Sequence, residues 1–89
     1  NMRTKRDLVL RPLGDQFILV AEGNAVADFT QMVSMNASSA YLWDAVEGKD
    51  FELATLVDLL VEAYGIPKDQ AEHDAAVVLD DWKRIGIAE

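Results

Sequence analysis

A three-stranded antiparallel sheet followed by a three-helix bundle, an α+β domain, is the fold that this sequence predicts, and a change of period carries the expectation. Between Leu8 and Met35 the apolar residues come in short β-branched and aromatic runs broken by turn signals. From Ala37 to Ile85 they recur at helical spacing, in three blocks divided by Gly48 and Gly65. With 89 residues there is room for one core, so residues 1–89 read as a single domain with residues 1–7 as a flexible lead-in. Hydrophobic residues make up 51% of the chain, which can fill a modest core without the disulfides that a Cys-free sequence cannot form.

The elements follow in order. Leu8 to Leu13 reads as a short strand with Pro12 marking an edge or an end, since proline cannot donate to a ladder. Gly14-Asp15 is a turn, and Gln16 to Ala21 returns as the second strand of a hairpin. Gly23-Asn24 is a further turn pair. Alternation then resumes over Phe29 to Met35, with Phe29, Gln31, Val33 and Met35 on one face and Thr30, Met32 and Ser34 on the other.

Asn36 can cap the first helix by accepting from the free amide of Ser38 or Ser39, and Ala40, Trp43 and Val46 form its apolar stripe. The second helix runs from about Glu52 to Tyr64, with Leu53, Leu56, Val57, Leu60 and Tyr64 on one side and Asp50 as its expected cap. Pro67 opens the third, which continues to about Ile85. Its stripe is Ala71, Ala75, Val78, Trp82 and Ile85, with Leu79 on the margin. Gly86-Ile87 has the glycine-then-apolar order of a Schellman end.

Charge narrows the partners. The net charge is -8, yet Arg3, Lys5, Arg6 and Arg11 are half of the basic residues, so residues 12–89 hold fifteen acidic and four basic side chains. A body near -11 repels phosphate backbones, which disfavours nucleic acid and favours a basic peptide. No apolar run approaches a membrane span, and the missing Cys suits a reducing compartment; the expected location is the cytoplasm.

Nothing in the sequence assembles a catalytic or metal centre. His73, the only histidine, lies roughly 160° from the middle of the third helix's stripe and should face solvent. Asp69, Glu72 and Asp74 suit the positive end of a helix dipole, and Ser38 and Ser39 are explained by capping. There is no G-x-S-x-G elbow, phosphate-cradling glycine loop or calcium-loop order. The sequence reads as a non-enzyme that needs no cofactor and offers a binding surface.

Two features suggest where. Val77 lies roughly 140° from the stripe centre, an apolar β-branched residue among Gln70, Asp74 and Asp81. The third strand has apolar side chains on both faces, Met32 and Val33, and a three-stranded sheet must have two edges, either of which can accept an extended peptide.

The runs "VSMNASSAYLWDAVEG", "LATLVDLLVEAYG" and "AEHDAAVVLDDWKRIG" resemble the PqqD-like family, small proteins also described as RiPP recognition elements. Met35-Asn36, Trp43 and Gly48 carry the most specific part, supported by Tyr64-Gly65, Asp74 and Gly86. The resemblance implies a winged-helix-like domain that holds the leader of a ribosomally made precursor peptide and presents it to a modifying enzyme, typically a radical SAM protein. It also implies a site. The leader would add beside Thr30, Gln31, Met32, Val33 and Ser34 and lie against Asp74, Val77, Val78 and Asp81.

Two other readings compete. A DNA-binding winged helix would need a basic recognition helix, whereas the third helix up to Trp82 offers only Lys68 against five carboxylates. A self-associating module would pair its free strand edge with a second copy, giving a homodimer.

Overall fold

The computed structural model describes residues 1–89. In chain order it contains β1 (Leu8–Leu13), β2 (Gln16–Ala21), α1 (Ala25–Asp28), β3 (Val33–Met35), α2 (Ala37–Val46), α3 (Leu53–Tyr64) and α4 (Lys68–Ile85). The sheet order is β1-β2-β3 with both pairings antiparallel, so β2 is central and β1 and β3 are edges. The three expected helices are α2, α3 and α4. The α+β class and the order sheet-then-helices are as the sequence predicts.

The hairpin closes at the pair Leu13 with Gln16, leaving Gly14-Asp15 as a two-residue loop. Gly14 has φ +65°, the positive value that a type II′ turn requires at its first central position. Pro12 sits in β1, whose outer side has no partner, so the missing amide proton costs no ladder bond.

The link between β2 and β3 differs from expectation. Beyond the turn at Gly23-Asn24 the chain makes the single-turn helix α1, because Ala25 and Phe29 are four residues apart and both bury their side chains. Phe29 closes that turn, its amide donating to the Ala25 carbonyl at 2.8 Å. The expected strand Phe29–Met35 therefore shrinks to Val33–Met35, paired with Phe17, Ile18 and Leu19, and Thr30, Gln31 and Met32 precede the ladder. Of the face assigned to the longer strand, Phe29 and Met35 are buried and Val33 half-buried, while Gln31 is exposed.

Asn36 caps α2 directly: its Oδ1 accepts from the Ser39 amide at 2.9 Å and from the Ser38 hydroxyl at 3.1 Å. In α3 the expected cap moves. Glu52 occupies the N-cap and its amide donates to Thr55 Oγ1 at 3.1 Å, while Asp50 is drawn off to Arg3 at 3.4 Å. At the end of α4, Gly86 has φ +83°, its amide donates to the Lys83 carbonyl, and the Ile87 amide donates to the Trp82 carbonyl at 2.9 Å. Those two bonds are the Schellman pair, and they turn Ile87 into the core, where it is fully buried.

The core lies between the sheet and the helices and contains no buried polar or charged residue. At its centre Trp43 of α2 meets Trp82 of α4 edge-to-face, ring centroids 5.4 Å apart, and Phe51 meets Trp82 in the same way at 6.2 Å. On α4 the buried residues are Ala71, Ala75, Leu79 and Trp82, with Val78 and Ile85 half-buried. The stripe is thus rotated towards Leu79, which leaves Val78 on a flank. On α3, Leu56, Val57 and Leu60 are buried, whereas Leu53 and Tyr64, assigned to the same stripe, lie at the helix ends and stay substantially exposed.

Residues 2–5 lie along the far end of the bundle. Met2 and Phe51 exchange backbone hydrogen bonds at 2.7 and 2.9 Å, Arg3 and Glu89 at 2.7 and 3.0 Å, and the Lys5 amide donates to the Ile87 carbonyl at 2.8 Å. The lead-in expected to be flexible is paired with backbone in this structure.

Candidate functional site

The free edge of β3 faces α4, and the space between them is the candidate site. Asn36 turns the chain from β3 straight into α2, so β3 and the first turn of α2 form one wall. The other wall is the flank of α4 that the rotated core stripe leaves uncovered. Two clefts share this trough. The larger, about 610 Å³, is bounded by the start of α2, the end of α3 and the middle of α4, with Leu42, Leu60, Tyr64, Ile66, Val77 and Val78 as its apolar lining. The smaller, about 160 Å³, lies between Val33–Met35 and the second half of α4, reaching Trp82 and Ile85. Ser39, Val78 and Asp81 border both, so the two clefts adjoin along α4.

The expected site residues distribute unevenly over it. Val33 and Ser34 line the small cleft, Asp74 and Val77 the large one, and Val78 and Asp81 stand where the two meet. Val77 is 49% exposed, so its off-stripe position does translate into an apolar surface. Thr30, Gln31 and Met32 line neither cleft. Met32 projects into solvent at 82% exposure. Gln31 is occupied, its Nε2 donating to the Ile85 carbonyl at 3.0 Å; this satisfies one of the carbonyls left unpaired at the end of α4 and ties the approach to β3 across the groove's far end.

Several lining residues escaped the sequence reading. Tyr64 was assigned to the core side of its helix; instead its ring meets Tyr41 edge-to-face at 6.1 Å and walls the large cleft. Leu60 and Leu42 look like core residues by period, and they are, but each also forms part of the cleft floor. Ile66 and Arg84 carry no periodic signal at all. Only Val77 announced itself, because an apolar residue far from the stripe is visible without knowing the tertiary contacts.

Polar groups make up about half of the lining, and both carboxylates among them are already hydrogen-bonded. Asp74 Oδ1 accepts from Gln70 Nε2 at 2.8 Å, an i,i+4 bond that orients the carboxylate along the helix flank. Asp81 is paired with Arg84 through Oδ1 at 2.5 Å, and both partners are more than half exposed. Ser34 is exposed on the strand. His73 borders the large cleft, and no group of three or more His, Cys, Asp or Glu side chains is arranged to hold a metal. An apolar trough beside an unpaired strand edge can take an extended chain, hydrogen-bonding its backbone on one side and burying its side chains on the other.

The sequence pattern of the family described as Coenzyme PQQ synthesis protein D (PqqD) matches residues 16–88. The chain belongs to the PqqD family. The match begins at β2 and ends after Ile87, so it takes in β3, α4 and every lining residue of the groove. A solved structure described as "TbiB1 in Complex with the TbiA(beta) Leader Peptide" superposes with a TM-score of 0.72, covering 98% of this chain and 94% of that one at 18% sequence identity. That likeness is one of fold, and it takes in β1 and the N-terminal segment as well. No curated protein matches the chain significantly. No helix is long and apolar enough to cross a membrane.

Proposed function

We propose that this PqqD-family protein is a non-catalytic binder of the leader segment of a ribosomally made precursor peptide, which it presents to a modifying enzyme. The observation that carries the reading is the coincidence of two things in one place: an unpaired antiparallel edge at Val33–Met35, and a partly apolar groove made of two adjoining clefts against α4. Leader backbone adds to β3 and supplies affinity through main-chain hydrogen bonds; its side chains enter the cleft lined by Leu60, Tyr64, Val77 and Val78 and supply register. Family membership and the likeness to a protein solved with a leader peptide support the reading. The role is that of a cytoplasmic chaperone without a cofactor of its own, and the enzyme that receives the leader is of the radical SAM class.

The structure adds a constraint to the expected site. With β3 only three residues long and Gln31 engaged at Ile85, added strand pairs with Val33–Met35, and Thr30 to Met32 lie ahead of the paired stretch, outside the clefts. Titrating ¹⁵N-labelled protein with the precursor leader encoded beside its gene should shift the amides of Val33 to Met35 and of Asp74 to Asp81. Shifts confined to other regions, or an unchanged spectrum, would sink the proposal. DNA does not suit the groove: among the side chains that line it, Arg84 is the only Lys or Arg, and it is already paired with Asp81.

A further inference from the structure

The groove has a direction. Gln31 touches α4 at Ile85, while Asn36, Ser38 and Ser39 lie opposite His73, Asp74 and Val77, so β3 runs against the direction of α4. A peptide that joins β3 in the antiparallel sense of the existing sheet therefore runs with α4, its N-terminal side towards Asp74 and its C-terminal side towards Arg84.

The ionisable side chains that face this path, in order along α4, are His73, Asp74, Asp81 and Arg84, together with Tyr64 across the large cleft. They are not equivalent. Asp81 is matched by Arg84, and a cation arriving there must compete with a guanidinium one turn away. Asp74 has only the neutral amide of Gln70 as a partner, is half-buried at the cleft wall, and so presents an unneutralised carboxylate beside apolar lining. The nearby helix ends largely offset one another, the start of α2 contributing positive and the end of α3 negative partial charge. A full charge outweighs both.

We infer that the groove selects a peptide carrying Lys or Arg on the N-terminal side of its apolar anchor, with Asp74 as the specificity-determining carboxylate and Gln70 as its positioning residue. The inference rests on the leader-binding reading and adds substrate class and polarity to it. From Asp74 to Ser34 along the trough the peptide is extended, at about 3.4 Å per residue. Asp74 and Val78 are one helical turn apart, roughly 6 Å, so the cation precedes the anchor by about two residues.

Two synthetic peptides of identical composition test it: Thr-Lys-Thr-Val-Leu-Val-Thr-Gln-Thr, and the same peptide with Lys and Gln exchanged. Each is titrated into the ¹⁵N-labelled full chain and into the isosteric variant Asp74→Asn, which keeps an acceptor for Gln70 and removes the charge. The Lys-first peptide should bind about three- to fivefold more tightly, the range of a partly exposed charge pair, and Asp74→Asn should bring the two to parity. Equal affinities with shifts still at Val33 to Met35 and Val77 to Asp81 would overturn the polarity while leaving the peptide groove standing. Tighter binding of the Gln-first peptide would overturn it in favour of parallel addition. If neither peptide perturbs those amides, the inference and the leader-binding reading fall together.

Discussion

Val77 and Leu79 stand two residues apart on α4 and should separate recognition from folding when each is cut back to alanine. Val77 is 49% exposed and lines the large cleft, whereas Leu79 is 9% exposed and belongs to the core. Truncating valine removes two methyl carbons, worth about 0.8 kcal/mol each when fully buried. About half of that, roughly 0.8 kcal/mol, is already realised in the free protein. Alanine returns about 0.5 kcal/mol through its better helix propensity, so Val77→Ala should change unfolding free energy by only about 0.3 kcal/mol. The other half is gained only when a peptide covers the cleft, and its loss should weaken leader binding by about 0.8 kcal/mol, near fourfold in Kd. Leu79→Ala leaves a cavity in the core and should cost about 2 to 4 kcal/mol of stability. Urea unfolding followed by tryptophan fluorescence gives the first quantity, and calorimetric titration with the leader gives the second. A Val77→Ala protein that lost as much stability as Leu79→Ala, or that bound the leader unchanged, would refute the assignment of Val77 to the recognition surface.

Other perturbations test the scaffold. Gly86→Ala places a Cβ in open space but at φ +83°, so the expected cost is conformational alone, about 1 kcal/mol in chemical denaturation. Asn36→Ala removes the acceptor of the Ser39 amide and should cost about 1 kcal/mol, with amide exchange faster over the first turn of α2. Arg3→Ala breaks an ion pair whose side chains are both 56% exposed, and the midpoint of urea unfolding should move by less than about 0.5 kcal/mol equivalent. Trp82→Ala removes the ring that joins Trp43 to Phe51 and should cost about 3 to 5 kcal/mol, enough to unfold much of a domain this small.

What the sequence determined by itself was most of what local chemistry governs, the cap of α3 being the exception. The glycine at Gly14, the capping oxygen of Asn36, the glycine-apolar pair Gly86-Ile87 and the switch from strand to helix period act within a few residues of themselves, and the structure places them as expected. Charge and the lack of a basic helix also argue against a nucleic-acid partner without reference to shape. Tertiary structure decided the rest. Phe29 could serve a strand or close a helical turn with Ala25, and burial of both side chains selected the turn, shortening β3. The α4 stripe is set by which neighbours pack on it. On α4 the buried side chains are Ala71, Ala75, Leu79 and Trp82, and Val78 is left half-buried at the groove. Tyr64, Leu60 and Ile66 came to the site from a different helix and a loop, a convergence that no period along one segment can encode. Hydrophobic spacing reports only that a face is covered. Whether the cover is core or a peptide's seat depends on how much surface the other elements leave free, and at the edge of β3 they leave one side of a strand.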